Sequence, residues 1–295
     1  MKKLLTTLLF TLSICSCTTF ASGAPAAQAR YFMQEGSDIV SAIPYGNNSA
    51  AGHYVQADDA KLYYEVYGKG EPVLVMHGGG VGCTYEMGRF IDKLSEKYQV
   101  IAMSTRGHGK SEIGSKPISH EQRANDALAV LTAVTNKPAI VLGFSDGAYA
   151  GYKLASMYPE KVTKLIAIGA GENVPALRQI VPSKVEDIKK FDPEFMELQL
   201  KLAPEPERLQ AYWNEFYTFY NHLVVSKELF NSIKCPVLVM AGELDPNAPL
   251  ATVLAAYQMI PHSQLAIIAN APHPAFITNF DAAWANIEPF LQENN

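Results

Sequence analysis

Ser145 lies in Gly143-Phe144-Ser145-Asp146-Gly147, directly after the apolar run Ala139 to Leu142 and at the start of a segment rich in small residues. A serine at a sharp turn from a buried strand into a helix presents its hydroxyl to solvent, and flanking glycines let strand and helix approach closely. The hydroxyl is a poor nucleophile at neutral pH. It needs a base to take its proton and a carboxylate to orient that base and stabilise its charged form. Both partners follow downstream, each just after another apolar run. Pro236 to Ala241 leads into Gly242-Glu243-Leu244-Asp245, and Gln264 to Ala269 leads into Asn270-Ala271-Pro272-His273. Ser145, Asp245 and His273 therefore form a candidate set for acyl transfer, with Glu243 as the alternative acid. Asp245 has a second, local reading as the cap of the turn at Pro246-Asn247. His262 precedes the last strand and falls at the wrong end of the sheet.

Acyl transfer also requires N–H donors aimed at the developing oxyanion. Pro72 to Met76 is a short apolar run leading into His77-Gly78-Gly79-Gly80. The amides of Asp146 and Gly79 are the candidate donors, with Gly80 as the other choice. His77 and Gly80 are candidates for contact with substrate. A glycine-rich loop can instead cradle phosphate, but no G-K-[ST] follows it and no G-x-G-x-x-G is present. The Asp146 carboxylate suits a helix N-terminus, and its charge would repel anionic substrates or attract a substrate amine.

The elements that would position these groups alternate as a mostly parallel sheet requires. Tyr54 to Gln56 and Lys61 to Tyr67 read as an antiparallel start around Asp58-Asp59. Strands follow at Val73 to Met76, Gln99 to Met103, Ala139 to Leu142, Lys164 to Ile168, Val237 to Ala241 and Leu265 to Ala269. Ser119 to Val134 reads as a helix opened by a capping box, Ser119 with Gln122, and carrying Ala127, Leu128 and Leu131 on one face. Residues 171–232 are too long for a simple crossover and contain five prolines among helix formers, so they read as an inserted helical cap. Within the cap, Trp213, Phe216, Tyr217 and Tyr220 share a helical face. Such a stripe is more often packing core than pocket wall; Trp213, Phe216 and Tyr217 are the candidates for the latter role. Tyr149 reads as packing and Glu172 as pointing to solvent.

Taken together, these motifs resemble the α/β-hydrolase fold superfamily over Tyr54 to Leu291. His77-Gly78-Gly79-Gly80 resembles its oxyanion loop, and Ser145, Asp245, His273 follow its triad order. Arg106-Gly107-His108-Gly109-Lys110-Ser111 resembles its R-G-x-G-x-S turn, with Ser104 where members usually carry Asp, so a family hydrogen bond is expected to be missing and His108 to be structural. Asn270-Ala271-Pro272-His273 departs from the usual G-x-G-H, and the proline should restrict that loop. The resemblance implies an α/β fold with an eight-stranded, mostly parallel sheet flanked by helices and roofed by the cap. It also implies a serine hydrolase acting on small carboxylic esters. Cofactor-free haloperoxidase or C–C bond hydrolase chemistry on the same triad remains open, followed by an aminopeptidase-like amidase and a non-catalytic binding protein. Serine at the nucleophile position excludes the haloalkane dehalogenase and epoxide hydrolase branches, which use Asp. Val81 after three glycines departs from the iminopeptidase-like G-G-P-G.

At 295 residues and 48% hydrophobic content the chain can bury a substantial core. A net charge of −5 without a basic stripe argues against nucleic acid and leaves a small molecule as the expected partner. Lys2 and Lys3 before the apolar run Leu4 to Ile14 and the following small residues make 1–23 an expected export signal, too short to span a bilayer comfortably. Its removal would take the charge to −7. Ile14-Cys15-Ser16-Cys17 loosely resembles a lipoprotein box, with Cys17 as the alternative lipid anchor. Residues 24–52 read as a flexible linker, with the hydrolase core at 53–170 and 233–295. Cys83 and Cys235 are expected at opposite ends of the sheet, too far apart for a disulfide. The cysteines and scattered histidines have no metal-ligand spacing, so neither a metal nor a cofactor is expected.

Overall fold

Eight strands form one sheet in a computed structural model that describes residues 29–35, 40–175, 177 and 180–293. The expected export signal and Cys17 lie outside those residues. The strands are β1 (Gly52–Ala57), β2 (Ala60–Tyr67), β3 (Pro72–Met76), β4 (Gln99–Met103), β5 (Ala139–Phe144), β6 (Val162–Ile168), β7 (Val237–Gly242) and β8 (Ser263–Ile268). Their spatial order is β1-β2-β4-β3-β5-β6-β7-β8. Only the β1–β2 and β2–β4 pairings are antiparallel. Every later strand points the same way, so the loops after β3, β5, β7 and β8 emerge along one edge.

The central strands are continuous apolar runs because both faces are covered. Alternation sorts their side chains between two cores. Leu74, Met76, Val141, Val237 and Val239 enter one cluster, while Val73, Val75, Ile140, Leu142, Leu238 and Met240 enter the other. Helices α1 (Gly88–Ser95), α2 (His120–Val134) and α3 (Asp146–Met157) follow β3, β4 and β5, and α1 covers the opposite face from the other two. Ser119 caps α2 by accepting the Gln122 amide at 3.0 Å, but Gln122 Oε1 is buried without a partner, so the capping box is one-sided.

Between β6 and β7 the chain forms α4 (Val185–Phe191), α5 (Pro193–Leu202), α6 (Leu209–His222) and α7 (Lys227–Ser232). The last crossover is α8 (Leu250–Met259), and α9 (Ala275–Thr278) and α10 (Phe280–Gln292) close the described chain. Lys164 on β6 caps α10 by donating to the carbonyls of Phe290, Leu291 and Glu293. Among the described residues no helix is long and apolar enough to cross a membrane.

The linker expected over 24–52 differs in its described part, which packs on the core. Buried Glu65 accepts the amides of Gly46 and Asn48 and the hydroxyls of Tyr63 and Tyr67, all at 2.7 to 2.9 Å. Tyr45 is 3% exposed and donates to Asp92. Further upstream, Arg30 pairs with Asp192 and Glu194 of the cap, and the Met33 amide donates to Asp192 at 2.8 Å. These contacts follow no helical or strand period, which is why the segment reads as a linker in sequence.

The turn after β4 is built around the buried Arg106. Its guanidinium grips Asp126 of α2 at 2.6 and 2.9 Å, Asp59 at 2.8 Å and the Ala57 carbonyl at 3.0 Å. Ser104, in the place of the usual acid, instead meets Thr84 Oγ1 at 2.9 Å. Removing one partner of a buried ion pair strands the other charge away from water. Arg106→Met is expected to lower unfolding free energy by about 3 kcal/mol or more. A shift of the urea midpoint well below that of the parent checks this.

Candidate active site

The turn from β5 into α3 holds Ser145 at φ 51° and ψ −112°, a conformation a side chain rarely adopts. Three main-chain bonds maintain it: Ser145 N donates to Ile168 O at 2.7 Å, and Ala148 N and Tyr149 N donate back to Ser145 O. The flanking glycines are needed for contact. A Cβ on Gly143 would lie 2.3 Å from Gly147 O, and one on Gly147 would lie 2.6 Å from Met76 O. Strand, turn and helix can close up only without those carbons.

His273, after β8, brings Nε2 to 2.9 Å from Ser145 Oγ, and its Nδ1 lies 2.8 Å from Asp245 Oδ2. A carboxylate only accepts, so Nδ1 carries the hydrogen and Nε2 presents its lone pair to the serine. The imidazole rests on Phe144, with ring centroids 4.8 Å apart. The other Asp245 oxygen accepts the amides of Asn247 and Ala248, both at 2.8 Å. Asp245 thus has the contacts that each of its sequence readings requires, the turn on one oxygen and the imidazole on the other. Glu243 is occupied elsewhere, accepting the Asn270 amide at 2.9 Å. His262 is exposed, and Glu172 is bonded by Ser226 rather than left in solvent.

The loop after β3 lies beside Ser145, tied to α3 by Gly147 N donating to His77 O at 3.1 Å. His77 corrects an expectation. It is buried, its Nε2 accepts the Thr105 amide at 3.1 Å, and its Nδ1 donates to Gly78 O at 2.6 Å. Burial holds the imidazole well below the usual histidine range, so it is neutral and both nitrogens serve the backbone rather than a substrate. The Gly78 carbonyl it grips shares a peptide group with the Gly79 amide, so His77 sets the direction of that N–H.

Asp146 also departs from expectation. Its carboxylate is 2% exposed, paired with Arg123 of α2 and accepting from Tyr220 of α6 at 2.5 Å. Both oxygens are engaged inside the protein, which leaves its backbone amide at the head of α3 as its contribution to the site. Phe216 lies against Gly79, where an added Cβ would meet the ring at 2.2 Å, and Tyr217 Oη lies 3.0 Å from the Cβ position of Gly80. Trp213 belongs to the buried core. It lines a small cavity with Gly80 and His108, to which Ser145 does not contribute. His108 is buried against Thr105 and the Arg106 carbonyl, and burial pushes it down to about 4. Tyr149 packs near Tyr220.

Two residues escaped the sequence reading. Arg123 lies four and seven residues before the buried Ala127 and Val130, and a cation on the apolar face of a helix is a readable sign of a buried partner. Glu86, whose Oε1 accepts the Gly78 amide at 2.7 Å, sits in a one-turn segment with no period to reveal it. Among the described residues, no group of three or more His, Cys, Asp or Glu is arranged to hold a metal ion. Cys83 and Cys235 are buried free thiols.

A family model described as the alpha/beta hydrolase fold matches residues 72–211. The chain is similar to the serine hydrolase BPHL of Homo sapiens, 23% identical over 255 residues that cover 81% of this chain and 85% of that protein. It is also similar to the uncharacterized hydrolase YraK of Bacillus subtilis (strain 168), 32% identical over 146 residues covering 46% of this chain and 52% of YraK. The solved structure of the enol-lactonase from Burkholderia xenovorans LB400 aligns with a TM-score of 0.69 at 19% identity, covering 82% of this chain and 100% of that one.

The two acids near His273 have separable expected effects. With a fluorophosphonate probe that reacts with activated serines, Asp245→Asn should slow labelling of Ser145 by about a thousand-fold or more, because the wrong imidazole tautomer is favoured. Glu243→Gln should label within about threefold of the parent, since its carboxylate only holds a turn. The reverse ranking would assign the acid to Glu243.

Proposed function

We propose that this chain, an enzyme of the α/β-hydrolase fold superfamily, is an exported serine hydrolase that cleaves small carboxylic esters through an acyl-enzyme. The observation that carries this reading is the hydrogen-bonded line from Ser145 through His273 to Asp245, at 2.9 and 2.8 Å. His273 Nε2 takes the Ser145 proton as Oγ attacks the ester carbonyl. The oxyanion is met by the amides of Gly79 and Asp146, and the imidazolium formed is stabilised by Asp245. The ring then gives its proton to the departing alkoxide, which leaves as the alcohol. Water, deprotonated by the same nitrogen, attacks the acyl-enzyme and releases the acid with Ser145 restored.

Two features support the finer parts of the reading. Phe216 lying against Gly79 narrows the space beside the oxyanion donors, which favours a compact acyl group. Lys2 and Lys3, the apolar run and the small residues after it support export, with release as a soluble protein preferred to anchoring through Cys17.

The mature protein should hydrolyse p-nitrophenyl acetate, and Ser145→Ala, folded by circular dichroism, should lose on the order of a million-fold in kcat. Equal turnover by both proteins would remove the serine from the mechanism. When the full chain is expressed in a bacterial host, intact mass of the exported product should lack Lys2 and Lys3 and carry no lipid. A lipid-modified Cys17 would instead assign it to a membrane surface.

A further inference from the structure

Glu86 belongs to a single 3-10 turn, Thr84–Met87, that follows the glycine-rich loop after β3. Its side chain is buried, and Oε1 accepts the Gly78 amide at 2.7 Å. The two peptide groups that bracket Gly78 are therefore fixed at several points. The first has its N–H on Glu86 and its carbonyl, that of His77, on Gly147 N. The second has its carbonyl on His77 Nδ1, and its N–H is the amide of Gly79. Space around the loop is also closed, since a Cβ on Gly78 would lie 3.2 Å from Glu86 Oε1 and 3.1 Å from the Phe144 ring.

Resting on the serine-hydrolase reading above, we propose that Glu86 is a positioning residue for the oxyanion loop: its uncharged carboxyl aims the Gly79 amide, and its ionisation weakens that site. A carboxylate at this position would add a negative charge behind the loop, in a dry region where like charges repel strongly, just as the transition state develops its own. Burial, opposed by the amides of Gly78 and Cys83, pushes the Glu86 carboxyl up to about 8. The titratable groups around it do not supply that charge. On its own segment Cys83 is a buried thiol pushed upward, on the loop His77 is neutral, and beyond the loop the Asp146 carboxylate is already matched by Arg123. Across Phe144 lies the His273 imidazole, which faces Asp245 through Nδ1.

The folded chain holds the Glu86 proton more tightly than the unfolded chain, so this contribution is complete below the ordinary glutamate range and is lost as pH rises through about 8.

The test is the pH dependence of kcat and KM for p-nitrophenyl acetate between about pH 6 and 10, measured on the parent, Glu86→Gln and Ser145→Ala. The parent should lose roughly tenfold in kcat on the alkaline side, with KM within about twofold, because only transition-state stabilisation is affected. Glu86→Gln keeps an acceptor for the Gly78 amide and cannot ionise. It should lower kcat by about threefold at pH 7 and abolish the alkaline fall. The melting temperature of the parent should also drop more between pH 5 and 8 than that of the variant. An alkaline fall that persists at the same pH in Glu86→Gln overturns the proposal, as does a parent kcat that stays flat to pH 10, which needs no folded variant. Turnover that survives in Ser145→Ala instead overturns the underlying hydrolase reading.

Discussion

One main-chain hydrogen bond, from Gly147 N to the His77 carbonyl, joins the two loops that the site depends on. One loop follows β3 and supplies Gly79. The other follows β5 and supplies Ser145 and the head of α3. The strands are neighbours in the sheet, but pairing in the sheet ends at Met76 and Gly143, below the level of the chemistry. Above that level the separation of Ser145 and the Gly79 amide is maintained by this contact, and it forms only because position 147 has no side chain to hold the two backbones apart.

The polar groups behind the site behave as scaffold. His77, Arg106 and Arg123 are all buried; His77 and Arg106 spend their donors on main-chain carbonyls or on carboxylates of other elements, and Arg123 pairs with the Asp146 carboxylate. The cap joins the same scaffold through α6: Tyr212 bonds the Arg106 carbonyl at 2.7 Å, Phe216 covers Gly79, and Tyr220 reaches Asp146. The Arg123 guanidinium lies 5.5 Å from the centre of the Phe216 ring, so the ion pair beside Ser145 is sealed by an aromatic face. A roof attached at these three points shapes the pocket and stiffens its floor together.

The order and type of the elements were legible because Ser145 and Asp245 follow the doubly buried strands β5 and β7, which are continuous apolar runs in the sequence, and His273 follows β8, an edge strand that is half-buried but still largely apolar in sequence. That made it readable from position alone that Ser145, Asp245 and His273 would meet. Electrostatic pairing between distant elements was not readable. Asp146 looks like a charge available to a substrate until Arg123 and Tyr220, contributed by α2 and α6, meet it. His77 looks like a ligand for substrate until Thr105, from the turn after β4, occupies its second nitrogen. The segment before β1 carries no period because single anchors such as Tyr45 and the amides on Glu65 hold it, and anchors of that kind leave no repeat to detect.

Asp245 divides its two carboxylate oxygens between a turn and an imidazole. An asparagine there could still cap the turn but would lack the charge that the proposed triad draws on, and a glutamate would keep the charge but displace it by a methylene from one task or the other. Folding and chemistry thus place simultaneous demands on one short side chain that no other residue type meets. Such a position has no neutral neighbour in sequence space: drift away from it would first have to relocate one of its two duties to another residue.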